Sequence, residues 1–242
     1  MGTGISITSV GNAGFRICLP DAVLFIDAFY DGIRGVADPP WLEISGVERA
    51  DVVLVTHAHP DHFNRQAVVQ VADVTGAIVV GPPVVLRMLA AEMRPDRLVA
   101  VPGRQPLGAV AWRRSWPWGT VTAISTSHGK EHISYLLEAP GLRLFHDGDN
   151  EDTRCVPIGL VDRLDVLLLG PWQGSGWVDW IEALRPERYV LMHLTAEERA
   201  EHAVGRYLVE ICDRVPPGLC ILAPGDSLEV HSSCGSDAGC RR

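Results

Sequence analysis

Four side chains of types that bind divalent metals stand close together in the segment Thr56-His57-Ala58-His59-Pro60-Asp61-His62. Neutral imidazole and ionised carboxylate are both good ligands for a divalent ion. Without an ion, imidazoles packed this closely would repel one another once protonated. The segment therefore predicts a metal site, and the chance rarity of this spacing disfavours the alternative of a merely polar surface loop.

Three further residues of ligand type each follow a predicted strand. The pairs are Val121–Thr126 with His128, Leu142–His146 with Asp149, and Tyr189–Met192 with His193. Ligand sites in α/β folds collect at the carboxyl ends of strands, so these residues are expected to face one common site. A single histidine after a strand is more often an ordinary surface or core residue. Together with the histidine-rich segment, however, the three become candidate ligands.

The elements that must position these residues are strands of two kinds, separated by helices. An antiparallel meander is predicted over Ile5–Val10, Gly14–Leu19 and Val23–Ile26. Strands that are apolar on both faces, and therefore buried, are predicted over Asp51–Thr56, Ala77–Val80 and Leu164–Leu169. Helices are predicted over Gln66–Val74, from Pro82 or Pro83 to Met93, over Trp177–Leu184 and from Thr195 to about Arg214. Buried strands under helices predict an α/β layered architecture.

The composition sets the remaining expectations. The chain has 242 residues and a formal net charge of −9, which argues against broad binding of nucleic acid. No apolar run reaches the roughly 20 residues that a bilayer span needs, and no signal peptide is visible. The six cysteines are therefore expected to be reduced, in a cytoplasmic protein. We expect one domain over residues 1–231 and a disordered tail over residues 232–242.

The sequence resembles the metallo-β-lactamase fold. The resemblance rests on His57-x-His59-x-Asp61-His62, on His128, on Asp149 in a Gly-Asp context and on His193 in Met-His-Leu. The segments Gly11-Asn12-Ala13-Gly14-Phe15, Leu24-Phe25-Ile26-Asp27 and Ala223-Pro224-Gly225-Asp226 resemble the opening and closing parts of that fold. Among its branches, the chain is most similar to the compact hydrolases that include L-ascorbate-6-phosphate lactonase.

The resemblance implies a four-layer αβ/βα sandwich of two mixed β-sheets flanked by helices, with the site between the sheets. It also implies two metal positions. The first would be held by His57, His59 and His128, and the second by Asp61, His62 and His193. Asp149 would bridge both positions. Asp27 would stand behind the ligands and orient their loop, as the supporting residues of metal sites commonly do.

We therefore expect a metal-dependent hydrolase in which a metal-bound hydroxide cleaves a small ester, lactone, thioester or phosphodiester. Asp61 would orient the nucleophile, and His132 is the candidate proton donor to the leaving group, although an ordinary histidine at a strand edge is as good an interpretation. The cofactors would be two divalent ions, with Zn²⁺ favoured and Mn²⁺ or iron also compatible with imidazole and carboxylate ligands. An iron-dependent oxidoreductase on the same fold and a metal-stabilised binding protein without catalysis are the alternatives.

The partner is expected to be a small-molecule substrate, with no nucleic acid and no membrane, and the oligomeric state is left open. Candidate contacts to the substrate are Trp172, Gln173, Lys130 and Asn12. Asn12 stands where many members of the branch that the chain resembles have histidine. Asp147 adds negative charge near the site, and we expect it to lie in a surface loop rather than to bind metal.

Overall fold

The computed structural model describes residues 4–103, 105–129, 131–170, 176–207 and 214–230. Within these ranges the strands form two sheets of seven. The first sheet contains β1 (Ile5–Gly11), β2 (Gly14–Cys18), β3 (Val23–Ile26), β4 (Val52–Leu54), β5 (Ile78–Gly81), β6 (Leu98–Ala100) and β14 (Ser227–Val230). The second sheet contains β7 (Val110–Trp116), β8 (Gly119–Thr126), β9 (His132–Ala139), β10 (Leu142–His146), β11 (Val166–Leu169), β12 (Arg188–Leu191) and β13 (Leu219–Cys220).

The helices lie in the connections between strands. The α-helices of the described ranges are α1 (Arg65–Thr75), α2 (Pro83–Leu89), α3 (Trp177–Leu184) and α4 (Ala196–Ala203). Single-turn 3₁₀ helices occur at Ile44–Gly46, Pro95–Arg97, Thr153–Cys155 and Ile158–Leu160. None of the described helices is long and apolar enough to cross a lipid bilayer.

Both sheets mix parallel and antiparallel pairing. The first sheet has the order β14-β1-β2-β3-β4-β5-β6, and it is parallel from β3 to β6 and antiparallel elsewhere. The second has the order β13-β12-β11-β10-β9-β8-β7, and it is parallel from β10 to β13 and antiparallel elsewhere. The parallel connections carry helices because parallel strands need a crossover between them.

Alternation along the buried strands explains why they are apolar on both faces. Successive side chains of a strand point to opposite faces of its sheet. On β11, Leu168 packs in the core between the sheets, whereas Leu167 packs against α3 on the outer face. On β4, Leu54 packs between the sheets and Val53 packs beneath α1 and α2. The chain thus has three apolar cores and four layers, and the predicted fold class is confirmed.

The predicted elements are largely present, and the differences have local causes. The helix predicted to reach Arg214 ends at Ala203, where the chain turns at Gly205 with a φ of 72°. The helix predicted to reach Met93 ends at Leu89. The sequence pattern did not predict β6 and β7, because β6 is short and β7 is a largely exposed edge strand without apolar alternation. The predicted tail, residues 232–242, lies outside the described residues.

Candidate metal centre

The candidate ligands lie in loops at the carboxyl ends of five strands. Asp27 follows β3, the segment from His57 to His62 follows β4, His128 follows β8, Asp149 follows β10 and His193 follows β12. Two of these strands belong to the first sheet and three to the second. The loops of the two sheets therefore meet at one edge of the sandwich, as expected for sites in α/β folds.

Seven side chains from these loops form two clusters, which we call cluster one and cluster two. Cluster one consists of His57, His59, His128 and Asp149, and cluster two consists of Asp61, His62, His193 and Asp149. Within each cluster, one nitrogen or oxygen atom of every residue lies within 4.8 Å of those of all the others. The structure thus brings together every residue that the sequence predicted as a metal ligand, and Asp149 belongs to both groups.

The loop between β4 and α1 supplies two residues to each cluster because its backbone turns tightly in the middle. The N–H groups of His62 and Phe63 both donate to the carbonyl of His59, at 3.0 and 2.9 Å. Helix α1 begins directly afterwards, and the Asn64 side chain caps it by accepting a hydrogen bond from the backbone N–H of Ala67. The turn directs the first two histidines of the loop to cluster one and its last two polar residues to cluster two.

Asp27 supports one histidine of each cluster from behind. Its carboxylate accepts from the Thr56 N–H at 2.8 Å, from the Thr56 hydroxyl at 2.6 Å and from His62 Nδ1 at 2.9 Å. Since the Thr56 hydroxyl donates to Asp27, it accepts from His57 Nδ1, at 2.9 Å. Both histidines therefore present Nε2 to the clusters. This arrangement fits the orienting role that the sequence predicted for Asp27.

Cluster two is buried and strongly charged. Burial opposes a proton on His62, but Asp149 at 3.1 Å and Asp27 at 2.9 Å outweigh burial and raise the pKa of His62 to about 10. Asp149 and Asp61 likewise raise the pKa of His193 against the effect of burial. Despite burial, the histidines hold the pKa of Asp61 and of Asp149 below the ordinary range. Before an ion binds, this cluster therefore pairs the protonated ring of His62 with ionised carboxylates.

Cluster one is more open and consists mainly of neutral imidazoles. Burial lowers the pKa of His57, and the nearby His62 lowers it further. Burial and His128 also lower the pKa of His59. His59 Nδ1 lies 3.1 Å from His128 Nε2, and His128 Nδ1 lies 3.0 Å from the Glu151 carboxylate. His57 and His59 can therefore offer their lone pairs to an ion near neutral pH without first losing a proton.

The donor atoms of the two clusters fit divalent metal ions. His57 Nε2 and Asp149 Oδ1 are buried and have no hydrogen-bond partner among the described residues. Buried polar atoms are almost always hydrogen-bonded, so an unpaired atom of this kind indicates an ion or another ligand. Imidazole nitrogen and carboxylate oxygen are the donors that Zn²⁺ and related ions accept.

His132 lies behind the clusters. Its Nδ1 bonds to the Thr126 hydroxyl at 2.7 Å, and its Nε2 accepts from the backbone N–H of Asp149 at 3.0 Å. Burial lowers the pKa of His132 to about 3, so the ring is neutral and both nitrogens are engaged. A proton donor needs an N–H that faces the substrate. These contacts do not support the proton-donor role expected for His132, and they show instead that it holds the loop carrying Asp149.

Asp147 is buried, so the prediction of a surface loop was wrong. Its exposed fraction is 1%. Gly148 adopts a φ of 62°, and the turn lets Asp147 face Ser134 and Asn150 while Asp149 faces the clusters. Burial raises the pKa of Asp147 to about 7. It belongs to neither cluster of candidate ligands.

Asn12 contacts a candidate ligand. Its side chain is buried, and its Nδ2 donates to the carbonyl of Asp61 at 2.8 Å and lies 3.5 Å from the Asp61 carboxylate. The other three candidate substrate contacts, Lys130, Trp172 and Gln173, lie outside the described residues.

Two of the cavities that adjoin the clusters differ in the charge of their walls. The larger, of about 640 Å³, is lined by residues 35–38, His193, residues 195–198 and Glu201. The smaller, of about 350 Å³, is lined by residues 57–59, Val84, Arg87, residues 128–129 and Glu131. The sequence analysis did not identify the acidic residues of the larger cavity. The available signal was the helix predicted to start at Thr195, since α4 begins just after His193 and brings its glutamates to the site.

Comparison with known proteins agrees with the fold and the clusters. A family model described as a beta-lactamase superfamily domain matches residues 22–194, and the chain therefore belongs to that superfamily. A UPF0173 metal-dependent hydrolase of Heliobacterium modesticaldum is 26% identical, over 94% of this chain and 98% of that protein. The predicted class, a metal-dependent hydrolase of this superfamily, is thereby confirmed.

Solved structures with very different activities share the fold. An isothiocyanate hydrolase from Delia radicum gut bacteria has a TM-score of 0.66 at 12% identity, covering 92% of this chain and 98% of that chain. CmlA, a diiron β-hydroxylase from Streptomyces venezuelae, has a TM-score of 0.65 at 14% identity, covering 95% of this chain and 54% of that chain. At such identities the likeness concerns the fold alone.

Proposed function

We propose that the chain binds one divalent ion in each cluster and hydrolyses an ester, lactone or thioester bond in a small molecule that is uncharged or cationic. The observation that carries this proposal is the meeting of seven imidazole and carboxylate ligands in two groups that share Asp149. We favour Zn²⁺ for both positions, because imidazole nitrogen and carboxylate oxygen are common ligands of Zn²⁺. The cytoplasmic location predicted from the sequence is part of the same proposal.

The chemistry divides between the ions and the protein. Two adjacent divalent ions, when bound, lower the pKa of water and withdraw charge from the substrate oxygen. The carboxylate of Asp61 supplies a hydrogen-bond acceptor at cluster two, where it can orient the attacking water. Asp27 and His132 form hydrogen bonds with the loops that carry the ligands, and these bonds keep the ligand atoms in place. Little reorganisation is therefore needed during the reaction.

The charge of the larger cavity favours a substrate without negative charge. The carboxylates on its wall are Asp38, Glu197, Glu198 and Glu201. Asp38 pairs with Arg199 at 2.8 Å, and Glu198 forms a capping box with Thr195 at the start of α4. Glu197 and Glu201 form no ion pair with any residue in the described ranges. A phosphodiester, or a phosphorylated lactone such as the resemblance implies, would meet this negative surface, so an uncharged ester, lactone or thioester is favoured.

The smaller cavity does not alter this preference. Arg87 lies on its wall, and so does Glu131, whose carboxylate accepts a hydrogen bond from the backbone N–H of Val84. The two side chains bring opposite charges to the same cavity. An anionic substrate would therefore gain little net attraction there.

Metal content is the first test. Elemental analysis of protein purified without a chelator or a metal-affinity column should find about two zinc ions per chain. Asp149→Ala, which removes the shared ligand, should bind neither ion firmly. Iron as the main metal would instead favour an oxidoreductase on this fold. Firm metal binding without turnover of any candidate substrate would favour a binding protein.

Substrate charge is tested with matched esters of one alcohol that differ only in carrying a neutral, a trimethylammonium or a carboxylate group. We expect the carboxylate ester to have the lowest kcat/KM. Replacing Glu197 and Glu201 by glutamine should raise kcat/KM for that ester by roughly two- to fivefold per residue, the scale of interactions between exposed charges. The same substitutions at Glu43 and Glu182, two exposed carboxylates outside the linings of both cavities, serve as controls. An unchanged preference in the cavity variants would contradict the proposed selection by charge.

A further inference from the structure

The turn between β1 and β2, residues 11–14, bonds to loops that carry ligands from both sheets. The Asn12 side chain donates to the carbonyl of Asp61 at 2.8 Å. The carbonyl of Asn12 accepts from the backbone N–H of His193 at 2.9 Å. The next residue, Ala13, accepts at its carbonyl from His146 Nε2 at 2.8 Å. One short turn thus contacts the first sheet's ligand loop and two strand ends of the second sheet.

His146 extends this set of bonds to the loop that carries Asp149. The ring is fully buried at the end of β10, and its edge packs against Phe15 with the ring centres 6.0 Å apart. Because Nε2 donates to Ala13, the other nitrogen is an acceptor, and it receives the backbone N–H of Gly148 at 3.2 Å. The turn is therefore linked through one imidazole to the residue immediately before Asp149.

The turn has little freedom to adopt another shape. Asn12 has a φ of 48°, in the left-handed region that asparagine tolerates better than most residues. A Cβ atom on Gly14 would lie 2.9 Å from the carbonyl oxygen of Asp27, and one on Gly11 would lie 2.5 Å from the Tyr30 hydroxyl. Such distances exclude a side chain at either glycine unless neighbouring atoms move. The close contacts of Gly14 with Asp27 and of Gly11 with Tyr30 therefore keep the turn packed against residues that surround the clusters.

We propose that this turn is a positioning element that fixes Asp61, His193 and Asp149 relative to one another, and that it thereby sets the metal affinity of cluster two. The inference rests on the proposed function, since it assumes that cluster two binds an ion. Asn12 should act selectively on cluster two, because His57, His59 and His128 form no hydrogen bond with the turn and the shared Asp149 is linked to it only through His146. The carbonyl and side chain of Asn12 act on two ligands that belong to cluster two alone.

Asn12→Gly tests the side-chain contact without straining the backbone, because glycine readily adopts a positive φ. The matched control is Arg163→Gly, at a position with a φ of 52° whose side chain is 88% exposed and contacts Asp162 rather than a residue of either cluster. Zn²⁺ titration of the full chain, with a chelating dye as competitor, measures both dissociation constants. We expect Asn12→Gly to weaken one ion by roughly 10- to 100-fold, the usual cost of losing a residue that supports a ligand. The other ion should be unaffected, and the control should leave both unchanged.

Two variants of His146 test its two hydrogen bonds one at a time, the bond to Ala13 and the bond to Gly148. His146→Asn can keep an acceptor for Gly148 but cannot reach Ala13, whereas His146→Gln can reach Ala13 but offers no acceptor at the Nδ1 position. Because Asp149 belongs to both clusters, we expect each variant to weaken both ions, including the one that Asn12→Gly weakens, and to change the visible spectrum of the Co²⁺-loaded protein. His193→Ala, which lacks a ligand of cluster two alone, identifies which ion and which spectral band belong to that cluster.

The outcomes distinguish this proposal from the proposed function. If the unmodified chain binds fewer than two ions, the proposed function fails and the role of the turn fails with it. If the unmodified chain binds two ions, and Asn12→Gly and both His146 variants bind them equally well with unchanged spectra, only the role of the turn is overturned. A lowered melting temperature with both affinities intact would likewise show that the turn merely stabilises the fold.

Discussion

Clusters one and two share Asp149, yet they differ in burial and charge. The side chains of His62 and His193 are 0% and 3% exposed, and those two histidines face Asp61 and Asp149. In cluster one, His128 is 13% exposed, and the cluster opens on the smaller cavity. Cluster two thus concentrates carboxylates around buried imidazoles, whereas cluster one has three imidazoles around a single carboxylate.

This difference shows how neighbouring sites with similar ligands can bind an ion by different routes. In cluster one the lowered pKa values of His57 and His59 keep those rings neutral, so an ion meets free lone pairs there. In cluster two an ion must displace a proton from His62, which the carboxylates hold in the charged form. The carboxylates that favour those protons also favour the ion that replaces them. Cluster two should therefore depend strongly on pH, and cluster one only weakly.

The largest effect should come from Asp149→Ala, because this residue joins the two clusters. We expect loss of firm binding at both positions and a fall in turnover of more than about a hundredfold, beyond the cost of losing a supporting residue. Metal analysis and steady-state kinetics measure the two effects. A variant that retained either ion at full affinity would show that the clusters do not depend on a shared carboxylate.

Asp27→Asn should act less strongly and unequally. Asparagine tolerates the φ of 44° at this position, but its amide cannot accept all three hydrogen bonds that the carboxylate receives. Since Asp27 contacts His62 directly and His57 only through Thr56, we expect about a 10- to 100-fold loss of affinity at cluster two and a smaller loss at cluster one. Competition titrations give both values. Equal losses of affinity at the two clusters would contradict the interpretation that the direct contact of Asp27 with His62 matters more than its contact with His57 through Thr56.

The smallest effect should be a difference in proton release. The raised pKa of His62, about 10, keeps that ring protonated at pH 7 before an ion binds. Binding at cluster two should therefore release at least one proton, and its affinity should rise about tenfold per pH unit between pH 7 and 9 for each proton released. The lowered pKa values of His57 and His59 predict that neither of these rings releases a proton when an ion binds at cluster one. Calorimetry in buffers of different ionisation enthalpy counts the protons, and equal counts for the two ions would contradict this interpretation.

The ligand types and their strands could be predicted because the relevant signals are local. The segment from His57 to His62 carries four ligands within one loop, and the apolar residues before it mark a buried strand. Because side chains alternate along a strand, Leu167 and Leu168 lie on opposite faces of their sheet, and this follows from their neighbouring positions alone. The role of His132 could not be read in this way, since its bond to the Asp149 backbone joins positions that are adjacent only in the folded chain.

The residue types, their spacing and the periodicity of the strands lie within a few positions of one another, so sequence was enough to predict the layers and the candidate ligands. The tertiary structure decided which ligands form a cluster, as with Asp61 and His193, which lie 132 positions apart and meet at 3.1 Å. It also decided that Asp147 is buried and that an acidic cavity adjoins His193. Desolvation and Coulomb interactions depend on distances in space, and those distances exist only once the two sheets have packed together.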